Sequence, residues 1–120
     1  AFYGSLYPGT KPADLGAHIT RIKRSLRRPG AWPALVETTR TSHAAITPLL
    51  PKVTAPVLVV MGDRDPDFTD PGAEAEFTAH QLGGPAQVAM VPGAGHYPQA
   101  HRPAVVTPAV LDFVASVSHA

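Results

Sequence analysis

With 120 residues, the chain supplies one domain of ordinary size. Its 44% apolar and 16% charged residues exclude wholesale disorder, and a net charge of +1 gives no electrostatic basis for a nucleic-acid partner. The lack of cysteine excludes disulfides and thiolate metal sites, and no apolar run approaches the ~20 residues that span a bilayer.

The opening Ala1-Phe2-Tyr3-Gly4-Ser5 has neither an initiator Met nor the basic and apolar blocks of a secretory signal. The expectation is a cytoplasmic protein, and a chain that starts so abruptly reads as cut from something longer. Pro12 suits the first turn of a helix. Leu15, Ile19, Ile22 and Leu26 then form an apolar stripe at helical spacing, with Arg21, Lys23, Arg24, Arg27 and Arg28 around it. Pro29-Gly30 stops that helix. Pro33 opens a second helix, and a shorter helical stretch is expected from His43 to Leu50.

The pattern changes at Pro51. Pro56-Val57-Leu58-Val59-Val60-Met61-Gly62 is a continuous apolar run, as expected of a parallel strand buried on both faces. Ala73 to Leu82 reads as a helix stopped by Gly83-Gly84, and Gln87 to Val91 as a second strand. Arg102 to Val117 reads as a closing helix with a broad apolar face of Val105, Val106, Val110, Phe113, Val114 and Val117. The order strand, helix, strand, helix predicts an α/β fold with parallel strands. Two parallel strands make a poor sheet alone, so something else is expected to pair with them. Most of the fourteen prolines punctuate these elements.

Ligands of open α/β sheets bind beyond the carboxyl ends of the strands. There the first strand leads into Gly62-Asp63-Arg64-Asp65-Pro66-Asp67, and the second into Pro92-Gly93-Ala94-Gly95-His96-Tyr97-Pro98. An acid and a histidine on the same sheet edge are placed for a carboxylate to orient an imidazole and stabilise its protonated form.

These two segments resemble the acid turn and the histidine loop of the α/β-hydrolase family. The resemblance implies that Asp65, three residues after Gly62, is the triad acid and His96 the triad histidine. Asp63 and Asp67 are close enough to compete, and Asp63 better suits support of the turn. The resemblance implies a partial α/β-hydrolase fold: residues 1–50 a helical cap segment, residues 51–120 the C-terminal part of the core. It further implies hydrolysis of a small-molecule ester or related substrate, without a metal or organic cofactor. A nucleophile elbow, Gly-x-Ser-x-Gly between strand and helix, is absent from the sequence. Ser5, Ser25, Ser42, Ser116 and Ser118 all lack that context. The serine, aspartate or cysteine nucleophile is therefore expected from a missing N-terminal half or a partner chain. This chain alone is then inactive. The competing reading is a non-catalytic α/β-hydrolase-like interaction module.

Other groups weigh less. Asp63, Asp65, Asp67 and Glu74 match positions one, three, five and twelve of a calcium loop, but Phe68 stands where that loop needs glycine. His18, His43, His80, His101 and His119 show no metal-ligand spacing and read as surface or partly packed residues. The basic surface from Arg21 to Arg28 reads as solvated. Trp32, Phe2, Tyr3 and Tyr7 suit either a substrate pocket or core.

Overall fold

The computed structural model describes residues 2–118, so His119 and the side chain of Phe2 lie outside the described structure. Helix α1 (Phe2–Ser5) is one turn long, and α2 (Leu15–Leu26) carries the basic surface. Helix α2 starts later than Pro12 suggests: Pro12 to Asp14 form a preliminary turn, in which Leu15 N–H donates to Pro12 O at 3.1 Å. Gly30, at φ 78°, makes the left-handed turn into α3 (Ala31–Thr38).

No α-helix forms from His43 to Leu50. Turns lead instead into a 3₁₀ helix, Thr47–Lys52. Pro48 and Pro51 remove two backbone donors there, and the shorter-period helix tolerates their loss over one or two turns. Residues 31–50 bury no side chain, and Trp32, Ile46 and Leu49 are exposed.

From Val57 onward the expected order holds. Strand β1 (Val57–Gly62) leads through α4 (Pro71–Gln81) to β2 (Ala86–Val91), and the strands pair in parallel from Val57 opposite Ala86 to Gly62 opposite Val91. Asp70 caps α4 by accepting the Ala73 N–H at 2.9 Å, and Pro71 follows at the first helical position. The closing helix forms where expected, as α6 (Pro103–Ser118), and a separate one-turn helix, α5 (Pro98–His101), precedes it and ends at Arg102. Pro103 lacks the N–H that would have carried α5 onward.

The structure is a mixed helix and strand fold with a two-stranded parallel sheet. Its core forms two small clusters. Val91, Ala94 and Val106 pack with Val60 under the sheet; Leu6, Tyr7 and Leu15 pack with Tyr3, Ile19 and Tyr97. Of the broad apolar face expected on α6, only Val106 is fully buried, while Val105, Val110 and Val114 are exposed. Among the described residues, no helix is long and apolar enough to cross a membrane.

Candidate active site

Both strands end at one point. Asp63 N–H donates to Val91 O at 3.2 Å, and the Asp63 carboxylate accepts the Gly93 N–H at 2.6 Å. Asp63 therefore ties the two loops together, the supporting role the sequence suggests for it. Gly93, at φ 69°, turns the second loop in a conformation that favours glycine. A Cβ on Gly62 would collide with the backbone oxygens of Ala94 and Gly95, so the loops approach as closely as they do only with glycine there.

This approach brings Asp65 and His96 together across 31 residues of sequence. His96 Nδ1 donates to the Asp65 carboxylate at 3.0 Å and 3.2 Å to its two oxygens. Asp65 is 5% exposed, the one buried charged residue among those described. A buried carboxylate is stable only when its lone pairs are occupied. Asp67 N–H supplies a further donor to Asp65 Oδ1, at 3.0 Å. Among the described residues, His96 Nε2 has no hydrogen-bond partner. With the proton held on Nδ1, Nε2 is left as the basic nitrogen.

Asp67 is also closer than its spacing shows: its Oδ2 lies 3.3 Å from the same His96 Nδ1. The four carboxylates of the calcium reading do not converge. Asp63 is engaged by Gly93, Asp65 and Asp67 meet at His96, and Glu74 lies in the first turn of α4. Among the described residues, no serine follows a strand: Ser5 and Ser25 lie in helices, Ser42 in irregular chain after α3, and Ser116 and Ser118 in α6.

The N-terminal segment has a role that no local pattern announces. His96 N–H donates to Leu6 O at 3.0 Å. His101 bridges the same two segments: Gly95 N–H donates to its Nδ1 at 3.2 Å, and its Nε2 donates to Thr10 O at 2.7 Å. An amide donor on one nitrogen and a carbonyl acceptor on the other fix His101 as the neutral Nε2–H tautomer. Lys11 Nζ donates to Gly4 O and Tyr7 O and closes this N-terminal turn on itself. Residues 3–11 therefore form a strap across the histidine loop.

Aromatic rings fill the space between strap and loop. Tyr97 meets His96 edge-on, with centroids 4.9 Å apart, and packs against Tyr3 at 5.8 Å and Tyr7 at 5.5 Å. A cavity of about 200 Å³ beside them is lined by Tyr7, Asp14, Leu15, His18 and Ala100. Tyr7 thus serves both core and cavity, whereas Trp32 is 59% exposed. A larger cavity of about 390 Å³ lies against α4 and the start of β2, at the opposite end of the strands from His96.

Burial raises the hydroxyl pKa of both Tyr3 and Tyr97 above 10.0. Lesser causes are the neighbouring Tyr7 and the charge of Asp14 for Tyr3, against which the hydrogen bond with Tyr97 acts, and Tyr3 with the charges of Asp67 and Asp65 for Tyr97. A folded-state pKa above the unfolded one means that the folded chain holds its protons longer. The contribution of these two hydroxyls to stability is therefore fully present below pH 10 and is lost as pH rises from there through the raised folded values. Thermal melts followed by circular dichroism from pH 8 to about pH 11.5 are expected to show this decline. Tyr97→Phe, which has no hydroxyl to ionise, should flatten it. An equally steep decline in Tyr97→Phe would remove this residue as a cause.

Comparison with models of known protein families, with curated proteins and with solved structures returns no match.

Proposed function

We propose that this chain is the acid- and histidine-bearing part of an α/β-hydrolase acting on a small-molecule ester or related substrate. One observation carries the reading: a buried carboxylate holds a histidine through Nδ1 where two parallel strands end, leaving Nε2 free. In this reading His96 Nε2 takes the proton of the attacking nucleophile and returns it to the leaving group. Asp65 fixes the tautomer that makes this possible and stabilises the imidazolium formed in between.

The nucleophile comes from a segment outside this chain, either an N-terminal half of the same protein or a partner chain. The loop bearing His96 faces residues 3–11, so Tyr3, Tyr7 and Tyr97 form one apolar side of the site. A serine nucleophile leads to acyl transfer. An aspartate nucleophile instead leads to an alkyl-enzyme ester, which water activated by His96 hydrolyses.

The test uses the complete protein, assayed with aryl esters and with alkyl halides, and its His96→Ala variant. Turnover is expected to fall on the order of 10³-fold or more. Hydrolysis that is indifferent to His96 would remove the reading.

A non-catalytic pairing module is favoured by a different observation. Leu111 is 62% exposed and Val114 50%, on a helix packed beside a sheet of only two strands. Apolar surface of this kind marks an interface. A stable complex with a partner chain, and no hydrolysis by that complex, would favour this second reading.

A further inference from the structure

His96 Nδ1 carries at most one proton, yet two carboxylates face it. Asp65 Oδ2 lies 3.0 Å away and Asp67 Oδ2 3.3 Å away. A dyad needs only the first. Among the described residues, Asp67 has no other cationic partner. We propose that His96, Asp65 and Asp67 form a site for a divalent transition-metal ion, Zn²⁺ in particular, and that zinc bound there switches the dyad off.

The spacing fits. Ligand atoms about 2.1 Å from a central ion stand about 3.4 Å apart in a tetrahedron and about 3.0 Å apart in an octahedron. The three side chains offer one ligand atom each within 4.8 Å of one another, two of these separations being the 3.0 Å and 3.3 Å above. One imidazole and two carboxylates suit a borderline ion better than Ca²⁺, which takes six to eight oxygens. Two carboxylate charges and a neutral ring balance a divalent cation. The site is buried on one side and open on the other: the Asp65 side chain is 4% exposed, those of His96 and Asp67 35% and 39%. Three protein ligands and an open face leave a fourth position for water.

The effect on the dyad follows from the ring. The ion takes the Nδ1 lone pair, the proton displaced from Nδ1 goes to Nε2, and no proton is gained or lost overall. An Nε2–H imidazole has no basic nitrogen left to offer a nucleophile. This inhibitory consequence rests on the hydrolase reading, whereas the binding itself does not.

The experiment is calorimetric titration of the chain with zinc chloride, with the His96 ring nitrogens followed by ¹⁵N NMR. One equivalent should bind with micromolar affinity and move the ring proton signal from Nδ1 to Nε2. Asp67→Asn, a change at a half-exposed position, should weaken binding at least about tenfold, since even outer-sphere partners of a metal are worth that much. His96→Ala should abolish it. The proposal is overturned by no heat and no ring shift at millimolar zinc, or by equal affinity in both variants, which would place the ion on other histidines. Zinc binding with no His96-dependent hydrolysis in the complete protein would sink the hydrolase reading alone, and the reverse result would sink the metal site alone.

Discussion

On the proposed hydrolase reading, Asp65→Asn in the complete protein is expected to lower kcat on the order of 10³- to 10⁴-fold while leaving the chain folded. The replacement keeps shape and most hydrogen bonds but reverses one of them. An asparagine amide turned toward the ring donates to Nδ1, which must then accept, and the ring proton moves to Nε2. Nε2 is the nitrogen the proposed mechanism requires as a base, so the loss falls on kcat and spares substrate binding. Asp67, 3.3 Å from the same nitrogen, can hold part of the population in the original tautomer. The double variant with Asp67→Asn should therefore lose more than Asp65→Asn alone. Full activity in the double variant would show that neither carboxylate orients His96.

Gly95→Ala is expected to destabilise the chain by about 3 kcal/mol or more, or to prevent its folding. A Cβ at this position meets the Leu6 carbonyl oxygen and Pro8 Cδ far inside the 3.0 Å that such contacts respect. The obstacle is largely backbone, with no flexible side chain to swing away. Loop and strap must separate, which breaks the bond from His96 N–H to Leu6 O and the imidazole bridge from Gly95 to Thr10. Urea unfolding gives the size of the effect. Gly16→Ala supplies the control, since its Cβ would meet nothing within 4 Å on α2 and alanine is the better helix former by ~1 kcal/mol. Equal stability in the two variants would mean that the strap does not press on the histidine loop.

What the sequence reveals of this molecule divides along the range of the interactions involved. Strands β1 and β2 and the helix between them are readable because apolar runs and the Gly83-Gly84 pair act locally. Asp65 and His96 are readable for a topological reason: residues just after adjacent parallel strands share an edge, whatever their separation in sequence. Asp67 is visible as a rival acid and as a calcium-loop position, but spacing alone does not show that its carboxylate turns toward the same ring nitrogen. His101 and the strap are invisible. Tyr7 is readable only as an aromatic suited to pocket or core, nothing near Leu6 marks it as buried, and the Thr10 partner of His101 is 91 residues away. The uncovered valines of α6 show the opposite error: helical periodicity reports which face is apolar, not how much of it finds a neighbour.

The strap also sets the sequence range of the contacts that hold the site. Asp65 and His96 close a loop of 31 residues, and His101 and Thr10 one of 91. Tripling a loop adds only about 1 kcal/mol of chain entropy, so the longer closure is no great burden on the finished molecule. It is a burden on the search, since contacts distant in sequence form late. The strand-helix-strand unit needs only near neighbours to assemble, while the loop that carries His96 takes its final form when the first residues of the chain return to it. His96 thus sits where the short-range strand-helix-strand unit and the long-range contact from the chain's first residues meet.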